Sequence, residues 1–139
     1  MRFVDTNVLL YLVSTAAGES GKQRIAAGLL EEEDLALSVQ VLQEFYVQAT
    51  RPRASGRGAL TDPQATRLIE SFLRFPVQEM TVAILQAALA AKQKYRISFW
   101  DASILEAARS LGCAIVLSED LGDGQSYGSV KVVNPFRGL

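Results

Sequence analysis

Histidine is absent from the 139 residues, and cysteine occurs once, as Cys113. Without histidine the chain has no Ser-His-Asp triad, no Cys-His pair and no imidazole base, and a zinc site of the usual ligands is disfavoured. A single cysteine excludes a disulfide framework and a thiolate cluster. Because Cys113 starts an apolar run, we expect a buried, inert thiol. If the chain is an enzyme, it must use carboxylates, hydroxyls, lysine, arginine or a metal ion.

Long apolar runs are also missing. No stretch approaches the roughly 20 residues that span a bilayer, and Met1 is not followed by the basic and apolar segments of a signal peptide. We therefore expect a cytoplasmic protein that does not enter the membrane. The length and the 49% apolar content predict one domain, residues 1–139, with a sizeable core.

The net charge of −1 lacks the basic excess that is typical of broad nucleic-acid binding. It does not exclude such binding, since acids can be concentrated in one cleft and bases elsewhere. The arginine-rich segment 51–58 is predicted to be a loop, and it fits either a solvated loop or a contact with a phosphate backbone.

Short apolar runs alternate with helical patterns along the chain. Strands are predicted at 2–5, 35–39, 76–79, 113–117 and 131–133. Helices are predicted at 8–12, 22–33, 40–50, 62–74, 81–95 and 99–111, with Thr61 or Asp62 capping the fourth. This alternation predicts an α/β domain with a mostly parallel sheet.

Four carboxylates stand where the ligand edge of such a sheet is expected. Asp5 and Asp120 follow apolar strands, while Glu44 and Asp101 lie near helix starts. Acids this close raise each other's pKa, so a cluster of four needs a neutralising partner. Oxygen ligands suit hard cations such as Mg²⁺ or Mn²⁺. The pattern therefore predicts a metal-dependent phosphoryl-transfer enzyme.

Each acid also has a purely local explanation. Asp5 fits a helix N-cap, and Glu44 fits a solvated side chain at the border of its helix's apolar stripe. Asp101 fits the capping box begun by Ser98, yet it shares a helical face with apolar residues, where an uncompensated charge is costly.

Asp120 fits an ordinary turn residue as well. Glu119 and Asp123 compete with it for the role of fourth acid, and the sequence leaves the choice among the three open.

Four segments surround these acids, namely Phe3-Val4-Asp5-Thr6-Asn7-Val8-Leu9, Leu42-Gln43-Glu44-Phe45-Tyr46, Trp100-Asp101-Ala102 and Leu117-Ser118-Glu119-Asp120-Leu121. In order and spacing they resemble the segments of PIN-domain proteins, specifically VapC-type toxin ribonucleases. The resemblance extends over nearly the whole chain.

This resemblance implies a PIN-like domain with a five-stranded, mostly parallel sheet flanked by helices. It also implies an endoribonuclease that uses Mg²⁺ or Mn²⁺ to hydrolyse RNA, and a toxin that forms a homodimer and binds a cognate antitoxin. By matching position, the catalytic, metal-binding quartet is Asp5, Glu44, Asp101 and Asp120, with polar support from Thr6, Asn7 and Ser118.

Two other functions remain compatible with the acids. An aspartate-based phosphatase commonly has a second aspartate two residues after the first, where this chain has Asn7. A non-catalytic interaction module would use the acidic cleft to bind a basic partner and would not need a metal ion.

Overall fold

A computed structural model describes residues 1–52 and 59–139. Most of the predicted arginine-rich loop therefore lies outside the described residues. In chain order the elements are β1 (Arg2–Val4), α1 (Thr6–Leu12), α2 (Ser20–Leu30), β2 (Leu35–Ser38), α3 (Val39–Ala49), α4 (Asp62–Phe72), β3 (Val77–Gln78), α5 (Val82–Tyr95), α6 (Phe99–Ser110), β4 (Ile115–Leu117), β5 (Ser126–Tyr127) and β6 (Val130–Val133).

The strands form one sheet in the order β3-β2-β1-β4-β6-β5. The parallel strands are β3, β2, β1, β4 and β6, and β5 pairs antiparallel with β6. The prediction of an α/β fold with a mostly parallel sheet is confirmed, but the described residues form six strands where five were expected. The two residues of β5 carry too little apolar pattern to be seen in the sequence, and Gly128, at φ 65°, turns the chain back into β6.

The central strands are apolar because the sheet buries them. Phe3, Val4 and Val116 have no exposed surface, and neither do the first three residues of β2. Helix α6 packs across the sheet and contacts β2, β3, β4 and β6. This covering explains the near-continuous apolar runs of a parallel sheet.

Several helix starts are fixed by side-chain caps. Thr61 forms a reciprocal capping box with Gln64, so Thr61 rather than Asp62 caps α4. Helix α1 begins at Thr6, two residues before the predicted start, because Asp5 caps it. Helix α6 ends as expected before Gly112, whose φ of 75° suits glycine.

Cys113 is buried, and burial raises the pKa of its thiol, as expected for an inert side chain. Within residues 1–52 and 59–139, no helix has both the length and the apolar content needed to cross a bilayer.

Candidate active site

The topology brings the four carboxylates to one place. Strands β1 and β4 are parallel neighbours, with Val4 opposite Leu117, so Asp5 and the segment from Ser118 to Asp120 leave the sheet side by side. The chain order reverses here, because β2 lies on the other side of β1, which makes this a topological switch point. Helix α3 leaves β2 directly and carries Glu44 to the same edge.

A cleft of about 110 Å³ lies at this edge, and Asp5, Glu44, Asp101 and Asp120 all line it. The sequence-predicted quartet is therefore brought together. The cleft is also lined by three polar side chains that form hydrogen bonds within the site, those of Thr6, Asn7 and Gln40.

Asp5 is the most buried acid of the cleft, with 7% of its surface exposed. Its Oδ1 accepts a hydrogen bond from the backbone N–H of Thr6 at 2.7 Å, and its Oδ2 accepts one from Ser118 Oγ at 2.7 Å. The local explanation of Asp5 as an N-cap is therefore confirmed, and its second oxygen joins β1 to the loop after β4.

Burial raises the pKa of Asp5 to about 6. The hydrogen bonds from Ser118 and Thr6 oppose this shift, and the negative charges of Asp120 and Glu44 add to it. The carboxylate is therefore costly to ionise in the protein alone, and a nearby cation would lower that cost.

Glu44 faces the cleft because two side chains hold it there. Thr6 Oγ1 donates to Glu44 Oε2 at 2.6 Å, and Gln40 Nε2 donates to Glu44 Oε1 at 3.0 Å. The Glu44 carboxylate is thus held toward the cleft rather than extended into solvent. Gln40 was not among the predicted site residues, although its position four residues before Glu44 on α3 was a detectable signal.

Asp101 occupies the first turn of α6. Ser98 Oγ accepts a hydrogen bond from the Asp101 backbone N–H at 3.1 Å and so caps the helix. The Asp101 side chain is half-buried and lines the cleft. Burial raises the pKa of the Asp101 carboxyl group, the nearby Ser98 hydroxyl opposes the shift, and the charges of Asp120 and Glu44 add to it.

The three acids among which the sequence leaves the fourth position open, Asp120, Glu119 and Asp123, differ in where their side chains lie. Asp120 lines the cleft. Asp123 points elsewhere, accepting from the Asn134 backbone N–H at 2.9 Å and from Arg137 at 3.0 Å.

Glu119 is also engaged away from the other acids. It accepts from Tyr11 Oη at 2.5 Å and from Lys22 Nζ at 2.5 Å. Burial favours a higher pKa for Glu119, but these two hydrogen bonds outweigh it and hold the pKa below its usual range. The hydrogen bond to Glu119, and to a smaller extent the one to Tyr11, raises the pKa of Lys22 to about 12.

The predicted supporting residues connect these elements. Ser118 Oγ donates to Asp5 and accepts from the backbone N–H groups of Asp120 and Leu121 at 3.1 and 3.3 Å. Asn7 Oδ1 accepts from the Glu119 backbone N–H at 3.4 Å, while Asn7 Nδ2 is buried with no hydrogen-bond partner among the described residues. The loop after β4 is thus tied to the start of α1.

The family comparison decides the identity of this fold. The family model of the PIN domain matches residues 2–122. The chain belongs to the PIN-domain family. No curated protein matches this PIN domain at a significant level.

Solved structures share the fold of this PIN domain. A chain of a toxin–antitoxin complex from Klebsiella pneumoniae has a TM-score of 0.71 and 23% identity, covering 97% of this chain and 98% of its own. VapC20 of Mycobacterium tuberculosis, described as a sarcin-ricin loop cleaving toxin, has a TM-score of 0.64 and 19% identity over 86% and 92%. FitAcB from Neisseria gonorrhoeae has a TM-score of 0.63 and 21% identity over 99% of both chains.

The donor set of this PIN domain fits a hard cation. The acids that line the cleft offer only oxygen, which suits Mg²⁺ or Mn²⁺. Carboxylate oxygens that already accept one hydrogen bond keep a further lone pair for a ligand. As they stand, no three acids among the described residues are close enough to form a ready ligand group. Binding would therefore require the Glu44, Asp101 or Asp120 side chains to reorient toward buried Asp5.

Proposed function

We propose that this PIN domain is a metal-dependent endoribonuclease that hydrolyses RNA phosphodiesters, and that it is the toxin of a toxin–antitoxin pair. The observation that carries the proposal is the convergence of four carboxylates on one cleft around buried Asp5, at the switch point of the sheet. The fold likeness to a toxin–antitoxin complex and to a sarcin-ricin loop cleaving toxin supports the proposal.

In this proposal Asp5, Glu44, Asp101 and Asp120 hold one or two Mg²⁺ or Mn²⁺ ions. When bound, such ions make water a better nucleophile near neutral pH and offset the charge of the scissile phosphate.

The chain's own residues orient the ligands. The Ser118 hydroxyl directs Asp5 Oδ2, and the Thr6 hydroxyl directs Glu44 Oε2, so two hydroxyls set two carboxylate planes. Because the whole sequence has no histidine, carboxylates are the groups of the cleft suited to take up a proton near neutral pH.

The proposal extends to partners and location. We infer a homodimer bound by a cognate antitoxin and acting in the cytoplasm. Helix α5 supports a protein contact, because Val82, Leu85 and Leu89 are 70%, 41% and 47% exposed and recur at helical spacing on one face.

The deciding test is cleavage of total RNA by the purified, antitoxin-free protein with Mg²⁺ or Mn²⁺, beside the same reaction in EDTA. Asp5→Asn is expected to lower the rate on the order of 100-fold or more, since even the partners that orient metal ligands cost about 10- to 100-fold. Asp123→Asn is the matched control, because this aspartate lies outside the cleft, and its rate should be unchanged.

Equal rates for wild type and Asp5→Asn, or full activity in EDTA, would contradict the proposal. Absence of cleavage by the folded protein on total RNA and single-stranded DNA, with no Mn²⁺ bound, would instead favour an acidic module that binds a basic partner.

A further inference from the structure

A second concavity adjoins the carboxylate cleft. This groove of about 360 Å³ shares Gln40, Glu44, Gln48 and Trp100 with the cleft, so the two are continuous. Beyond the shared residues it is lined by Gln43 and Val47 on α3 and by Arg51 just past the end of α3. We call it the Trp100 groove.

Trp100 is the only tryptophan of the chain, and 62% of its surface is exposed. It immediately precedes Asp101 in the first turn of α6. Its ring packs edge-on against Phe99, with centroids 5.2 Å apart, and its backbone carbonyl accepts from Gln40 Nε2 at 3.4 Å. The indole is thus held beside the acids while most of it faces solvent. An aromatic ring of this size normally buries its surface against a partner.

Gln40 joins the groove to the site. Its Nε2 donates to both Glu44 Oε1 and the Trp100 carbonyl. Since both partners are acceptors, the amide must present its nitrogen to them, and this fixes its orientation. Gln40 itself is 7% exposed. The position of the first turn of α6 is therefore coupled to the position of Glu44.

The charges of the groove run from acidic to basic. Glu44 lies at the end that it shares with the cleft, and exposed Arg51 lies beyond Val47, which is 53% exposed. A polymer with a phosphate at the acids would have an adjacent base near Trp100 and a further phosphate within the field of Arg51. Aromatic faces that stack bases, combined with cations that contact phosphates, are the usual means of binding single strands.

We propose that the Trp100 groove is a subsite for a nucleobase of single-stranded RNA next to the scissile phosphate. The base stacks on Trp100 and contacts Val47, and Arg51 contacts a flanking phosphate. This inference rests on the proposed nuclease function and adds to it the residues that select and hold an unpaired base.

Because Trp100 is the sole tryptophan, its emission reports on the groove directly. The first experiment titrates the full-length wild-type protein, with Ca²⁺ replacing Mg²⁺ as the hard cation, with short mixed-sequence single-stranded RNA that carries a fluorescent label. Gel analysis confirms that the RNA stays intact during the titration. Binding is followed independently by anisotropy. Stacking is expected to quench the tryptophan emission in step with binding. An abasic oligonucleotide of the same length and charge should leave the emission unchanged.

The second experiment measures cleavage of the same RNA by Trp100 and Arg51 variants. Trp100→Ala is expected to raise KM about 5- to 150-fold, the loss of one stacked base, with little change in kcat. Trp100→Phe should restore most of the loss. Arg51→Ala should raise KM several-fold and flatten the dependence on salt by about one phosphate contact. Leu73→Ala, which removes an equally exposed apolar residue outside the groove, should behave as wild type.

The outcomes separate the subsite from the function beneath it. If wild type cleaves RNA while Trp100→Ala keeps its KM and the emission ignores bound RNA, the subsite is wrong and the nuclease stands. If no RNA is bound or cleaved, both fail. An emission change that follows dilution of the protein rather than addition of RNA would assign the groove to a second copy of the chain and overturn the subsite. Thermal melts of each variant confirm that it is folded.

Discussion

At the scale of single residues, Asp5 combines a local helix cap with a contact to a distant part of the chain. Its Oδ1 completes a helix cap, and its Oδ2 binds Ser118 across the sheet edge. Both bonds favour the ionised form, yet burial outweighs them and the pKa is raised. The side chain is therefore held in place by contacts that do not fully compensate its charge, which is the condition expected of a cation ligand.

The raised pKa of Asp5 predicts a pH-dependent stability in metal-free buffer. The folded protein keeps the proton up to about pH 6, whereas the unfolded chain loses it near pH 3.8. Stability from this source is present below pH 3.8 and is lost as the pH rises through 6, by about 3 kcal/mol. Urea unfolding in EDTA from pH 4 to 7.5 measures it. Asp5→Asn should lack this decline, and an identical pH profile in both proteins would contradict the assignment.

A bound cation should reverse this loss. At pH 7.5, Mn²⁺ is expected to raise the Tm of the wild-type protein. At a Mn²⁺ concentration of 100 times the Kd, the free energy of unfolding should increase by about 3 kcal/mol. Asp5→Asn should respond much less, while Asp123→Asn should respond as wild type does. Differential scanning fluorimetry across a Mn²⁺ series provides the comparison. Equal shifts in all three proteins would place the ion elsewhere.

At the scale of elements, the loop after β4 is fixed from two sides. Ser118 ties it to Asp5 after β1, and Glu119 ties it to α1 and α2 through Tyr11 and Lys22. Lys22 also lies over the Tyr11 ring, 4.7 Å from its centroid. Asp120 follows both anchors, and its backbone N–H donates to Ser118 Oγ. Because Tyr11 and Lys22 hold Glu119, Asp120 is the acid of this segment that lines the cleft.

Removing the second anchor should affect the cation more than the fold. Glu119→Gln is expected to cost at most about 1 kcal/mol of stability, because the ion pair is partly exposed. It should weaken Mn²⁺ binding several-fold, since Asp120 loses its fixed position. Isothermal titration with Mn²⁺ and urea unfolding measure the two effects separately. A loss of stability with unchanged Mn²⁺ affinity would show that Glu119 serves the fold alone.

At the scale of the whole molecule, the order of the strands assembles the site from distant parts of the chain. Asp5 and Ser118 are 113 residues apart and touch because β1 and β4 are neighbours. In the folded chain the apolar face of α5 formed by Val82, Leu85 and Leu89 stays exposed. That face lies on an element that packs against α6, the helix that carries Asp101.

The exposed face of α5 predicts a dimer contact. The double variant Leu85→Glu, Leu89→Glu should shift the protein from two chains to one, because buried charge without a partner is costly. Light scattering coupled to size exclusion measures the mass. Leu73→Glu, equally exposed on another surface, is the control. A dimer that survives the double variant would place the interface elsewhere.

The sequence by itself determined the fold class and limited the candidate acids to a few positions. Alternating apolar runs and helical periods give the α/β architecture, because burial on a sheet or under a helix leaves a local pattern. The sequence also predicts the helix ends at Asp5, Ser98 and Gly112, because caps act within one turn of the chain.

Only the tertiary structure decided which acids share the cleft. Glu44 was indistinguishable from a solvated side chain until Thr6, 38 residues away, was seen to hold it. The choice among Asp120, Glu119 and Asp123 depended on Lys22, Tyr11 and Arg137, which no local pattern connects to them. The Trp100 groove depends on contacts of the same kind, whereas β5 escapes prediction because its two residues carry too little apolar pattern. The direction of a side chain depends on contacts between segments far apart in sequence, and such contacts exist only once the strands have taken their order.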